Sequence, residues 1–197
     1  MTRNYTLGRR AETAAETRQR LVEATAALHA ERGISAVSLR DIAERAGVSV
    51  GTAYHHFPTY LDAVQACAQH VAQTSPLPEA SCFDGINAPD ERVGFLVREL
   101  CAWYDRNPWL EQIRAERALY PPVEESMVQL ERAVEQLVRA AARCTADEAR
   151  TIAAMADVAV FKALRRAGMP AARVPNRITE AAVAWLRFNN KRRRATS

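Results

Sequence analysis

A chain of 197 residues with 48% hydrophobic content has enough apolar material for a buried core, and this places it among folded proteins, not disordered ones. No window approaches 18 consecutive apolar residues, so no membrane span is expected, and the polar start MTRNYTLGRRAETAAETRQR lacks the apolar stretch of a signal peptide; a cytoplasmic protein is the expectation. The net charge of +4 is carried almost wholly by arginine, with lysine only at Lys162 and Lys191, and the four cysteines (Cys67, Cys82, Cys101, Cys144) lie far apart without a CxxC pair, as expected of reduced thiols.

Apolar spacings of three and four dominate and no sustained β-type alternation occurs, so the fold class is all-α, with about nine helices. The first helix is predicted from about Ala14 to Arg32, with Leu21, Ala24, Thr25 and Leu28 on one stripe and Gly33 as a left-handed stop. Ser38 followed by Asp41 reads as a capping box for a short helix with Leu39, Ile42, Ala43 and Ala46 inward, which Gly47 ends. A second short helix, Ser49 to His56, follows after only Val48. Thr59 followed by Asp62 caps the next, through about Gln73, with Leu61, Val64, Ala68 and Val71 inward.

The stretch TSPLPEASCFDGINAP, residues 74–89, holds Pro76, Pro78 and Pro89 without helical period, and reads as a flexible linker. Beyond it Val93, Leu96, Val97, Leu100, Cys101 and Tyr104 form a broad face with Phe95 opposite, the pattern of a helix buried on both sides. Asn107 and Pro108 are predicted to start a short helix to about Leu119. Pro121 and Pro122 open the next, with Met127, Leu130, Val134, Leu137, Val138 and Ala141 on one face. Thr145 followed by Glu148 is a third capping box, for a helix expected to run to Gly168 with Ala149, Ile152, Ala153, Ala156, Ala159, Val160 and Ala163 as a small-residue stripe. The last helix, about 175–190, carries Ile178, Ala181, Ala182, Trp185, Leu186 and Phe188, more apolar surface than its own chain needs. That surplus suggests a partner subunit. A basic tail, 191–197, closes the chain.

Two short helices parted by Gly47 and Val48 have the geometry of a helix-turn-helix, whose second helix enters the DNA major groove. The residues SLRDIAERAGVSVGTAYHHF, 38–57, with Gly33 before them, resemble the DNA-binding domain of the TetR family of bacterial regulators, over roughly Gln19 to Val64. The resemblance implies an N-terminal domain (1–58), a connecting helix (59–73) and a C-terminal ligand-binding and dimerisation domain (90–190). It also implies a homodimeric repressor on a palindromic operator, paired through helices at about 145–167 and 175–190 and released by a small-molecule inducer. No cofactor is implied. Carried over by position, Ser38 would touch phosphate and Arg40 would lie near the backbone or a base. Ser49, Val50, Gly51 and Thr52 would begin the recognition helix, Tyr54 would bond a phosphate, and His55 would reach a base or phosphate. Gly51 costs on the order of 1 kcal/mol relative to Ala inside a helix, and close approach to DNA supplies a reason for it.

Val50 stands where many members have a cation, and Tyr60 where many have lysine; Tyr60 could contribute a phosphate contact through its hydroxyl. Arg3, Arg9, Arg10, Arg18 and Arg20 are candidate electrostatic compensation, the first three as an arm or else a disordered end. His29, where the family usually has a core aromatic, is expected to be partly buried and hydrogen-bonded. Trp103, Arg106, Trp109, Arg114, Tyr120, Met127, Met155, Asp157 and Phe161 are the candidate pocket residues.

Adjacent His55 and His56 diverge by about 100° on a helix and make a poor metal pair, and Cys67 with His70 supplies only two ligands, so no metal site is assigned. Thiol sensing, with Cys82 the most accessible sulfur, and metal response are the alternative regulators. An all-α enzyme is the remaining alternative, although GxSxG, HExxH and phosphate-loop glycine patterns are absent.

Overall fold

The computed structural model describes residues 3–195, with side chains described over residues 12–192. Helices account for nearly all regular structure, and no strand occurs among the described residues, as the apolar periodicity requires. Ten α-helices follow one another among the described residues: α1 Arg3–Arg32, α2 Leu39–Ala46, α3 Val50–His56, α4 Tyr60–Thr74, α5 Pro89–Arg106, α6 Leu110–Glu116, α7 Pro121–Ala142, α8 Ala146–Met155, α9 Val158–Arg166 and α10 Val174–Ala195. α1 begins well before the predicted Ala14, and α10 continues through Lys191 and Arg192, so these residues extend a helix instead of forming a separate tail.

The chain divides into two compact units, Met1–Pro76 with Gln112–Met127, and Leu77–Glu111 with Val128–Ser197. The segment Gln112–Met127 thus groups with the first unit, where a single C-terminal domain over 90–190 was expected. In the first unit Leu21, Val22, Ala24 and Leu28 of α1 meet Leu39, Ile42 and Ala43 of α2, Ala53 of α3, Phe57, and Ala63 and Ala66 of α4. Each Leu, Ile or Phe in this set contributes about 1.5–3 kcal/mol by burial. The capping boxes Ser38–Asp41 and Thr59–Asp62 both form, and Gly33 and Gly47 adopt the left-handed conformation that a Cβ would strain. α4 departs from its predicted stripe: Leu61 is 45% exposed, and Ala63, Val64, Ala66 and Cys67 face inward, because Tyr60 takes the leading packing position of the helix.

In the second unit α5 packs chiefly on α10, through Ile178, Ala182 and Leu186, and on α9. Gly94 permits the close approach; a Cβ there would meet the Thr179 methyl at 3.3 Å. The predicted flexible linker is anchored. A 3-10 turn, Ala80–Phe83, seats Phe83 at 2% exposure, edge-on to Phe95 at 6.4 Å. The Arg92 guanidinium covers the Phe83 ring, and its Nε donates to the Ile86 carbonyl at 2.5 Å. One large aromatic outweighs the prolines around it.

The helix expected from Thr145 to Gly168 is broken. α8 ends at Met155, and Asp157 caps α9 by accepting from the Ala159 N–H at 2.8 Å. The Tyr104 hydroxyl donates to the Ala156 carbonyl at 3.0 Å, partnering an acceptor at the break. The break rotates the second half, so Val158 and Phe161 are buried while Ala159 and Ala163, predicted inward, face out.

Candidate nucleic-acid interface

The interface is built from the turn between α2 and α3. Gly47, at φ +67°, donates to the Glu44 carbonyl at 3.1 Å, and the Val48 N–H donates to Ala43 at 3.0 Å, so the chain reverses direction within two residues. Ser49 then starts α3: its Oγ accepts from the Thr52 N–H at 3.1 Å and pairs with the Thr52 hydroxyl at 2.8 Å. Ala53 and Phe57 fix the inner side of α3 in the core. That orientation leaves Val50 at 36% exposure, Tyr54 at 53%, and Gly51 and His55 exposed, with Thr52 half-buried.

The remaining predicted contacts take different positions. Arg40 is exposed on α2. The Ser38 hydroxyl is engaged in the cap, donating to the Asp41 carboxylate and accepting from the Asp41 N–H, and the bonds from the Ser38 hydroxyl and backbone N–H hold the Asp41 carboxyl below its ordinary value. Arg45 pairs with Glu31 through two bonds of 2.9 and 2.7 Å, tying the end of α2 to α1. Gly51 has no internal steric reason to be glycine, since a Cβ would meet only the Ser49 Oγ at 3.8 Å. The expected arm residues Arg3, Arg9 and Arg10 have side chains outside the described residues.

Tyr60 corrects the sequence reading. Its hydroxyl donates to the Ile34 carbonyl at 2.6 Å and lies 2.8 Å from His29 Nε2, so it faces inward and is not presented to phosphate. Because the single phenol hydrogen goes to Ile34, His29 must carry hydrogen on Nε2 and donate to Tyr60. Burial lowers the His29 pKa to about 4 against the opposing pull of Glu116, and burial pushes the Tyr60 phenol well above its ordinary value. His29 is accordingly neutral and hydrogen-bonded, the latter as expected, and it is more fully buried than the partial burial expected.

Glu116, a residue the sequence did not point to, holds the turn before α2. Its carboxylate accepts from the Ser35 N–H at 2.7 Å, the Ser35 hydroxyl at 2.5 Å and the Ile34 N–H at 3.3 Å. Burial raises its pKa, but these hydrogen bonds and nearby His29 prevail and leave the carboxyl below its ordinary value. Gly33 supplies the room, because a Cβ there would fall 2.3 Å from Glu116 Oε1. No local pattern could reveal a partnership across 82 positions.

The predicted pocket residues are divided between the two units. Tyr120, Arg114 and Met127 belong to the first unit, where the Tyr120 hydroxyl donates to Ser35 Oγ at 3.2 Å and its ring meets Tyr60 edge-on. In the second unit Trp103, Tyr104 and Phe161 form an aromatic run with centroids 5.8 Å apart. Trp109 and Met155 are half-buried, Arg106 is exposed, and Asp157 serves as the α9 cap. A groove of about 510 Å³ between α5 and α10, lined among others by Asp90, Gly94, Arg98, Thr179 and Arg187, contains none of the nine. Burial raises the Cys67 and Cys101 pKa values to about 12, and burial also raises those of Cys82 and Cys144, so no thiol is poised as a thiolate.

The caps, the left-handed turn and the outward face of α3 define a helix-turn-helix DNA-binding domain. Residues 21–59 match the sequence model of the tetR family of bacterial regulatory proteins. The chain is 33% identical over 102 residues to the transcriptional repressor KstR of Mycolicibacterium smegmatis, covering 51% of this chain and 50% of that protein. It therefore spans about half the length of the curated relatives it matches. Over longer stretches the fold is shared with a TetR-family regulator from Streptomyces coelicolor (TM-score 0.68, 19% identity, 86% of this chain and 80% of that one). A transcriptional regulator from Saccharomonospora viridis, solved in complex with choline, is similar at TM-score 0.65 and 21% identity, covering 84% and 95%.

Proposed function

We propose that the protein is a transcriptional repressor that reads DNA through α3 and releases it when a small molecule binds the second unit. The observation that carries this reading is the outward face of α3: Val50, Gly51, Tyr54 and His55 stand exposed on a helix that Ala53, Phe57 and the Gly47 turn hold rigidly. Ser49, Thr52 and Arg40 flank that face, and phosphate contacts from Ser38 would be limited by its cap. The repressor names of the curated relatives and the ligand-bound regulator of similar fold support the direction of control. The raised thiol pKa values disfavour a thiol-responsive alternative. A cytoplasmic location fits a DNA-binding regulator, and among the described residues no helix is long and apolar enough to cross a membrane.

We infer a symmetric dimer, paired through α8–α9 and α10, that places two copies of α3 in successive major grooves of a palindromic site. Phe188, 60% exposed on α10, and the outward Ala159 and Ala163 of α9 support this. The direct test is selection of bound duplexes from a random-sequence library, with light scattering of the purified protein. Recovery of a palindrome, loss of affinity in Tyr54→Phe and Thr52→Ala at fixed salt, and a dimer mass that Phe188→Asp halves are the expected results. Selection of no sequence by a folded protein refutes the reading.

A further inference from the structure

We propose that the groove between α5 and α10 is a binding site for a short bipolar organic molecule, an ω-amino acid, which sets its ammonium on Glu91 and its carboxylate on Arg98. This names a ligand class for the second unit and rests on the reading of that unit as the ligand-binding one. Every residue of the groove belongs to that unit, and its volume is about 510 Å³. The floor exists because Gly94 has no side chain: a Cβ there would meet the Thr179 methyl at 3.3 Å and Arg98 Nη1 at 3.6 Å. The Thr179 hydroxyl donates to the Pro175 carbonyl at 2.8 Å, so the residue turns its methyl to Gly94. Half-buried Val183 continues that apolar wall one turn along α10.

Charge distinguishes the two ends. Arg187 donates to Asp90 at 2.5 and 3.1 Å, and Arg177 donates to Glu180 at 2.7 Å, so these four charges satisfy one another. Glu91 and Arg98 also line the groove and form no ion pair among the described residues. They lie two helical turns apart on the same side of α5, about 10.5 Å along its axis. The Arg98 side chain runs back along the helix to Gly94, and its guanidinium stacks 5.9 Å from the Phe95 ring centre. Phe95 is itself held edge-on by buried Phe83. Stacking fixes the plane of the guanidinium and leaves its N–H donors available at the edge, the geometry that pairs with a carboxylate. An acid and a base held apart across an apolar floor favour a molecule with opposite charges at its ends and methylenes between. A plain anion would be repelled by Glu91, and a plain cation by Arg98.

The probe is 6-aminohexanoate, chosen shorter than the axial separation because Arg98 reaches back toward Glu91. It is titrated into the isotope-labelled full chain and followed by the amide resonances of Gly94 and Thr179. Saturable shifts with a Kd of about 1–10 mM are expected, since solvent-exposed charge pairs are screened. Hexanoate and hexylamine, each with one charged end, should bind about fivefold more weakly, and Glu91→Gln and Arg98→Gln should each weaken 6-aminohexanoate by about fivefold. Arg150→Gln, on α8 outside the groove, should leave it unchanged, with circular dichroism showing every variant folded. Equal binding of the single-ended compounds, wild-type affinity in Glu91→Gln or Arg98→Gln, or no saturation well above that range overturns the site. Shifts of the same amides that follow protein concentration without ligand would assign the groove to a second copy and overturn it likewise. Duplex affinity, read separately by fluorescence anisotropy, distinguishes the two readings. If 6-aminohexanoate binds as described while the chain keeps its selected duplex, the site stands and release by this ligand fails. If the chain binds no duplex, the DNA-reading proposal fails and the titration alone decides the site.

Discussion

Gly51→Ala separates what the fold needs from what DNA needs. Gly51 is the second residue of α3, its φ lies outside the left-handed region, and a Cβ would meet only the Ser49 Oγ at 3.8 Å, an ordinary van der Waals separation. Nothing inside the protein therefore offsets the usual advantage of alanine, which restricts the unfolded chain and stabilises by about 0.4–1 kcal/mol where the native backbone accepts it. For a chain of this size that raises Tm by about 1–4 °C, readable by thermal circular dichroism. If the backbone of Gly51 approaches DNA closely, the added methyl should cost about tenfold or more in affinity, roughly 1.4 kcal/mol. The assay is fluorescence anisotropy against the tightest duplex recovered by selection. A variant that is more stable yet binds weakly is the expected pair of results. Unchanged affinity would refute the close approach, and a lowered Tm would reveal a role for the glycine in the fold.

Acid should loosen the first unit through His29. Its folded pKa of about 4 lies below the ordinary 6.5, so the unfolded chain takes up the proton first; its contribution is complete above pH 6.5 and is lost as pH falls toward 4, by about 3 kcal/mol at most. Chemical denaturation across that range should show the loss, and His29→Gln should reduce it; an identical pH profile would refute the assignment. Glu116→Ala strips the Ile34 and Ser35 amides of their acceptor and should destabilise by about 1–3 kcal/mol, with faster hydrogen exchange at those two amides as the readout; unchanged exchange would show that the bonds do not persist in solution. Cys67 and Cys101, with pKa values near 12, should react with a thiol reagent only on unfolding, and rapid labelling of either in the native protein would contradict their burial.

Local signals in the sequence translated directly into structure where the physics is local. The capping boxes at Ser38, Thr59 and Thr145 all formed, and Gly33, Gly47 and Gly168 all took positive φ. In the structure the burial of Ala53 and Phe57 turns Val50, Gly51, Tyr54 and His55 outward. What escaped sequence reading depends on distant partners. The run Ala154-Met155-Ala156-Asp157 contains no glycine or proline to announce a break; the Asp157 cap is its one local signal, and the Tyr104 hydroxyl partners the freed carbonyl. Phe83 looked like linker because nothing in its neighbourhood names Phe95 and Arg92 as the groups that cover it. Tyr60 looked available to DNA because the acceptor that claims it, the Ile34 carbonyl, lies 26 residues away.

The Glu116 carboxylate seated on Ile34 and Ser35 also bears on how such proteins can be recombined. A head exchanged between relatives at a natural-looking junction near Pro76 would leave behind the one acid that closes the turn before α2, and its new host would have to supply an acceptor at the same spot. Gly33 would tolerate no bulkier replacement while such an acid is present, so the glycine and the distant glutamate form a matched pair. Grafts that carry residues 112–127 along with the head keep that pair intact, and a cut guided by chain order alone divides it.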